Sequence, residues 1–212
     1  MTNIGIFGSG RVATALATKL ASAGHALTLG VLDAVGAAAQ WQGPAVAFTD
    51  HAGAARAAPV VFNATPGETS LERLSALREE LRGKILVDVS NATRRGENGM
   101  PGDLLYPNSS LAEHLQAALP ETRIVKSLNT MLFTAMANPQ GLRVPPTAFL
   151  SGNDADAKGV VRNLLGDLGW KSEWIEDLGD IFTARGTEAI ALLVPSVIRA
   201  RGFASFAFAI AS

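Results

Sequence analysis

The residues with the clearest chemical potential lie in the segment Ile4-Gly5-Ile6-Phe7-Gly8-Ser9-Gly10-Arg11-Val12-Ala13. Gly8 and Gly10 make a G-x-G pair, and Ala13 takes the third small position of a G-x-G-x-x-A turn. In such a turn the first glycine lets the chain reverse off a strand. The second lets a pyrophosphate approach the backbone, and the third small residue lets the next helix pack on the strand. The helix N-terminus then offers unpaired N–H groups and the positive end of its dipole to the phosphates. Ser9 and Val12 complete the turn. Arg11 is either a charge-assisted phosphate contact or a solvated cation. The pattern predicts a dinucleotide, NADP or NAD, as cofactor.

The choice between the two is read at the end of the next strand. An acidic residue there receives the ribose 2′-hydroxyl of NAD, whereas an arginine accommodates the 2′-phosphate of NADP. The chain reads Leu29-Gly30-Val31-Leu32-Asp33-Ala34, with no basic residue. Asp33 is placed either to reach the ribose or to cap the following helix. Charge therefore gives no support to NADP and leans toward NAD.

Three further segments carry polar, chain-turning residues at strand ends: Asn63-Ala64-Thr65-Pro66-Gly67, Ser90-Asn91-Ala92-Thr93 and Leu128-Asn129-Thr130-Met131. A doubly wound sheet binds its ligands beyond the carboxyl ends of its strands. These residues are therefore candidates for the nicotinamide ribose and carboxamide, with ordinary turn chemistry as the alternative for each. Lys126 is a candidate to orient a carbonyl or carboxylate, although a strand-end lysine is commonly solvated. His25, His51 and His114 are isolated and expected at the surface. No His pair or carboxylate cluster has metal-ligand spacing.

Elements must bring these segments together. Apolar runs predict strands at Asn3–Phe7, Ala26–Gly30, Ala45–Phe48, Val60–Asn63, Lys84–Val89, Ile124–Ser127, Thr147–Ser151 and Ser172–Ile175. Helical patterns cover Val12–Ala23, Ala34–Trp41, His51–Ala57, Glu68–Leu81, Leu111–Leu119, Asp154–Leu168 and Thr183 onward. Several strands are continuously apolar, as in a parallel sheet covered on both faces. The alternation predicts an α/β, doubly wound, mostly parallel sheet of the Rossmann type with a short C-terminal helical segment. Residues 1–180 are expected to form the dinucleotide-binding domain and 181–212 a helical segment packing on it or on a partner. Gly24 and Gly83 read as helix C′ residues and Asp154 as an N-cap. The loop Ala92–Ser110 is long enough to be functional. With Met100, Leu104, Leu105 and Met131 it offers either an apolar wall for a planar ring or plain core packing.

Composition excludes several classes. The 212 residues carry 18 basic and 19 acidic side chains, so there is no basic surplus for nucleic acid. Cysteine is absent, which removes disulfides, thiolate catalysis and Fe–S ligation. The apolar stretch from Ala189 is interrupted by Pro195, Arg199 and Arg201, which argues for a buried helix or subunit contact over a membrane span. A cytoplasmic homodimer, pairing through Phe203, Phe206 and Phe208, is the expectation.

The motifs together resemble the NADPH-dependent reductases of the deazaflavin coenzyme F420. The resemblance runs from Asn3 to about Leu193. It is carried by the glycine turn and by Val87-Asp88-Val89-Ser90-Asn91, close to the family's VD-x-[ST]-N. It is also carried by Ile124-Val125-Lys126-Ser127-Leu128-Asn129-Thr130, close to VVKAFNT, by Leu150-Ser151-Gly152-Asn153-Asp154, and by Asp177-Leu178-Gly179 with Ala184, Arg185 and Glu188. It implies hydride transfer between a nicotinamide and a second small-molecule redox substrate, coenzyme F420 or a flavin. It also implies a G-[ST]-R segment whose Ser and Arg hold the 2′-phosphate, and here those positions are Val31 and Leu32. The alternatives are an imine, keto or ferric reductase on the same scaffold, which would need a proton donor near the nicotinamide, or a non-catalytic dinucleotide-binding module.

Overall fold

The computed structural model describes residues 1–96 and 99–211. Its elements are β1 (Asn3–Phe7), α1 (Arg11–Ser22), β2 (Ala26–Gly30), α2 (Ala34–Gln40), β3 (Ala47–Thr49), α3 (His51–Ala57), β4 (Val60–Asn63), α4 (Ser70–Ser75), α5 (Arg78–Leu81), β5 (Ile85–Asp88), β6 (Thr93–Arg95), β7 (Pro101–Leu104), α6 (Leu111–Ala118), β8 (Arg123–Lys126), α7 (Phe133–Met136), β9 (Ala148–Leu150), α8 (Ala155–Asp167), β10 (Ile175–Asp177), α9 (Ala184–Ala189) and α10 (Val194–Arg201), with short 3₁₀ turns between some of them.

The continuously apolar runs become strands of one six-stranded sheet in the order β3-β2-β1-β4-β5-β8, all parallel. The order reverses between β1 and β4, which opens a crevice above their carboxyl ends. Both faces are covered. Ile4, Ile6, Leu16, Leu20, Phe62, Val87, Val161 and Leu165 pack in one layer with α1 and α8. Phe7, Val61, Leu74, Leu86, Leu111 and Leu115 pack in the other, with α3, α4 and α6. The register aligns Gly30, Phe7, Asn63, Asp88 and Lys126 in one row across the sheet. The residues that follow each of them therefore share the crevice edge.

The expected helix termini hold. Gly24 takes φ +87° and Gly83 φ +71°, and the Asp154 carboxylate accepts the Ala157 N–H at 2.7 Å. Several expectations are corrected. The helix read over Glu68–Leu81 is a 3₁₀ turn and two short helices, α4 and α5, because Leu77 leaves helical geometry at φ −106° and ψ 23°. Ser172–Trp174 is a 3₁₀ turn, and the strand follows it as β10 beside β9. Within the loop Ala92–Ser110, β6 and β7 form an antiparallel hairpin; Glu97 and Asn98 of that loop lie outside the described residues.

The helix expected from Thr183 onward stops at Arg201, where Gly202 takes φ +76°. The chain then runs extended. The Phe206 carbonyl accepts from Leu132 N–H (3.0 Å), the Phe208 carbonyl from Thr147 N–H (3.0 Å), and Met131 and Ala207 form an antiparallel bridge. Backbone pairing with two neighbouring segments outweighs the apolar composition that suggested helix. The run Ile181–Arg201 is long and apolar enough to cross a membrane by length and composition. Here it is divided into helical pieces, and it docks on the body through the buried Glu188.

Candidate functional site

The glycine turn sits where the crevice opens. Gly8 takes φ +106°, which side chains rarely adopt, and a Cβ there would meet the Ala64 carbonyl oxygen at 3.0 Å. Only glycine satisfies both constraints. The Gly8 N–H donates to the Gly30 carbonyl at 2.8 Å, tying the turn to the end of β2. Gly10 is the N-cap of α1 with open space where a Cβ would stand, and Ala13 is fully buried against β1. An unobstructed helix N-terminus therefore faces a cleft of about 870 Å³.

Gly8, Ser9, Gly10, Arg11, Val12, Val31, Leu32, Asp33, Ala64, Thr65, Pro66, Ser90 and Asn91 all line this cleft. Asn63 and Asn129 do not; both lie behind its wall. Asn63 is the last residue of β4 and is fully buried. Its amide donates to Asp88 (2.8 Å) and Ser70 (3.0 Å), and its carbonyl oxygen accepts from the Thr65 hydroxyl (2.6 Å). Asn129 and Asn91 bond reciprocally: Asn129 Nδ2 donates to Asn91 Oδ1 (2.9 Å) and Asn91 Nδ2 to the Asn129 carbonyl (2.8 Å). This pair clamps the turn after β5 to the turn after β8. It holds in place Leu128, a buried residue with φ +60°. A bulky side chain in that region is strained and persists only where its surroundings enforce it. Asp33 caps α2, accepting the Gly36 N–H at 3.0 Å, so the capping alternative holds.

Lys126 is not solvated, as a strand-end lysine would usually be. It is 1% exposed, and its ammonium lies 2.7 Å from Asp88 and 2.9 Å from Glu188 and donates to the Ser90 carbonyl. Glu188 in turn accepts the N–H groups of Leu111 (2.9 Å) and Ala112 (3.2 Å) at the start of α6. Burial alone would push Lys126 down, but Asp88 and Glu188 outweigh it and hold its pKa above the usual lysine value. The ammonium thus stays charged as a brace under Ser90, and it does not face the cleft.

The histidines also depart from the surface expectation. His25 accepts from the Thr2 N–H and pairs with Asp167 at 3.0 Å, its side chain largely buried. His114 stacks on Tyr106 at 4.2 Å. His51 lines the cleft, edge-on to Phe7 at 5.1 Å. Burial, then the Arg73 charge, hold its pKa below the ordinary imidazole value, with Asp50 opposing.

Gly67, at the end of the candidate segment from Asn63, and Arg95, in the loop Ala92–Ser110, line the cleft; sequence reasoning missed Gln40, Arg73 and Phe133 on its wall. Arg73 lies within a helix, and no local motif marks it. Of the apolar candidates only Met131 lines the cleft; Leu105 packs on the core instead. Arg11 lies over the rings of Phe133 (5.1 Å) and Phe203 (5.9 Å), so the C-terminal tail reaches the rim of the glycine turn. Among the described residues no group of three His, Asp or Glu is placed to hold a metal ion.

Comparison with known proteins places this architecture. Residues 3–92 match the family model of coenzyme F420-dependent NADP oxidoreductases. A crystal structure from Arthrobacter sp. FB24, named as a candidate F420-dependent NADP-reductase, superposes with a TM-score of 0.90 at 37% identity over 100% of both chains. The F420-dependent NADP reductase of Methanocaldococcus jannaschii is 30% identical over 145 residues, 66% of this chain and 62% of its own. The metalloreductase STEAP3 of Rattus norvegicus is 31% identical over 196 residues, 91% of this chain and 37% of its own. The chain therefore spans between about a third and three fifths of the length of these curated relatives.

Proposed function

The chain belongs to the F420-dependent NADP oxidoreductase family, and on that premise we propose that it passes hydride between NADP(H) and a second planar redox molecule, a deazaflavin or flavin. The observation that carries this reading is the Gly8–Ala13 turn, which opens α1 onto one continuous cleft reaching Ser90, Asn91, Met131 and Phe133. The pyrophosphate lies over Gly8, Ser9, Gly10, Arg11 and Val12. The adenosine lies between Val31, Leu32 and Asp33 on one side and Thr65 and Pro66 on the other, and the nicotinamide toward Ser90 and Asn91. Asn63 and Asn129 act from behind these turns. The lean toward NAD drawn from residues 31–33 gives way to NADP, the cofactor in the family's description.

Hydride transfer to a deazaflavin or flavin requires no acid or base from the protein. Position and electrostatics suffice. The residues present supply those: a rigid polar floor under Ser90 and Asn91, and an apolar wall from Met131, Met136 and Phe133. Residues 1–180 act as the dinucleotide-binding body, with 181–212 packed on it. A cytoplasmic homodimer accompanies this reading; of the tail aromatics expected at its contact Phe203 is exposed, as are Phe182, Leu192 and Leu193, whereas Phe206 and Phe208 are partly buried in the chain itself. Light scattering tests it.

The decisive experiment is NADPH oxidation followed at 340 nm with coenzyme F420, FMN and a ferric chelate offered in turn. Turnover with F420 or FMN supports the reading; NADPH binding with no oxidation by any acceptor overturns it in favour of a non-catalytic module. A second reading, electron delivery for metal reduction, is favoured by the 31% identity to the rat metalloreductase. Turnover with the ferric chelate alone would select it.

A further inference from the structure

Val31 and Leu32 bring no charge or hydrogen-bonding side chain to the end of β2, and Leu32 is 89% exposed. If NADP(H) is the cofactor, its 2′-phosphate must find its partner elsewhere in the cleft. The neighbouring strand ends provide one. His51 opens α3 directly beside β2: a Cβ on Gly30 would meet the His51 Cα at 3.0 Å. The absence of a side chain at Gly30 is what allows His51 to stand there.

Arg73 reaches the same cleft from α4. Its guanidinium donates to two neutral hydroxyls, Thr65 Oγ1 at 3.0 Å and Thr69 Oγ1 at 2.9 Å. It pairs with no carboxylate among the described residues, unlike Arg56, Arg82 and Arg185. A guanidinium has five donors in a fixed fork, so most of its capacity remains unused. Thr65 is itself anchored through Asn63 to Asp88, so the fork is pre-set at a nearly immobile hydroxyl. The acids near this corner are already engaged: Asp33 and Asp50 each accept a helical N–H, from Gly36 and Gly53. His51 and Arg73 line the same cleft, and the Arg73 charge acts on the imidazole, disfavouring its proton. A phosphomonoester carries about −1.5 to −2 charges and strong acceptor oxygens, and such a fork recognises it bidentately.

We propose that Arg73, assisted by His51, forms the subsite for the adenosine 2′-phosphate, replacing the side chains missing at Val31 and Leu32. The inference rests on the dinucleotide reading above and adds the residue that sets cofactor choice. The role passes from the strand after the glycine turn to the helix after β4, on the opposite side of the adenosine.

The test is titration of the full chain with NADPH and with NADH at fixed ionic strength, by calorimetry or nicotinamide fluorescence. The wild type is expected to prefer NADPH. Arg73→Gln is expected to lower the NADPH-over-NADH preference tenfold or more. Arg73→Gln combined with Leu32→Arg is expected to regain the preference, since Leu32 is exposed and can carry a guanidinium without disturbing the core. Thermal melts of each variant establish folding. A wild type that prefers NADH would overturn the subsite. So would a preference that Arg73→Gln leaves within twofold, or a parallel weakening of both dinucleotides. Binding of neither dinucleotide to the wild type would overturn the proposed function itself, a distinct outcome.

Discussion

The two sides of the cleft are built by different means. On the side of β1, β2 and β3, the phosphate-facing surface is made by backbone: the Gly8 turn and the open N-terminus of α1. On the side of β4, β5 and β8 it is made by side chains held in a buried network that runs from Arg73 through Thr65, Asn63 and Asp88 to Lys126 and Glu188. Backbone sites need small residues in a fixed local spacing. Side-chain networks need partners that meet only after folding, such as Lys126 with Asp88, 38 positions apart. The first kind tolerates change except at its glycines, and the second fails if one member is lost.

That difference can be broken at graded cost. The largest effect is expected from Lys126→Met, which leaves Asp88 and Glu188 buried without a cation. Urea unfolding should show a loss of about 3–5 kcal/mol, and Lys126→Met with Asp88→Asn and Glu188→Gln should recover most of it. A loss below about 1 kcal/mol would mean that water reaches the network. Next, Gly8→Ala forces a side chain into φ +106° against the Ala64 carbonyl. It should cost about 1–3 kcal/mol and weaken dinucleotide binding at least tenfold by fluorescence titration. Unchanged affinity would remove the turn from the site.

The pH dependence is smaller. His51 has a lowered pKa in the folded state, so the unfolded chain binds its proton first as pH falls through about 6.5. Stability is therefore complete above that range and declines below it. His51→Gln should flatten the decline in thermal melts across pH 5 to 8. An identical slope in both proteins would place the titration elsewhere. The smallest effect is expected at the exposed surface. Arg82, just past α5, pairs with Glu79 and Glu121, all three well exposed. Arg82→Ala should leave the melting temperature nearly unchanged, because exposed pairs are screened and entropically costly. A drop comparable to that of Glu188→Gln would show the surface pairs to be structural too.

The helix termini at Gly24, Gly83 and Asp154, and the strands read from unbroken apolar runs, were legible because each depends on local chemistry: a left-handed φ, a capping oxygen, a face-independent need for burial. The burial of Lys126 was not legible, since nothing in Arg123–Lys126 announces the two distant carboxylates that neutralise it. The non-helical tail at 203–211 was also hidden, because its apolar composition suits a helix, and only the backbone partners at Thr130–Leu132 and Thr147 hold it against the body.

The sequence by itself determined the doubly wound sheet, the phosphate-binding turn and the family, because period, glycine spacing and ordered motifs are local or colinear properties. Tertiary structure decided which polar residues face the cleft and which brace it. It set Asn63 and Lys126 behind the wall and brought Arg73 and His51 to its surface. Those outcomes depend on the register of parallel strands and the reach of side chains across them, and neither is written in any one segment of the chain.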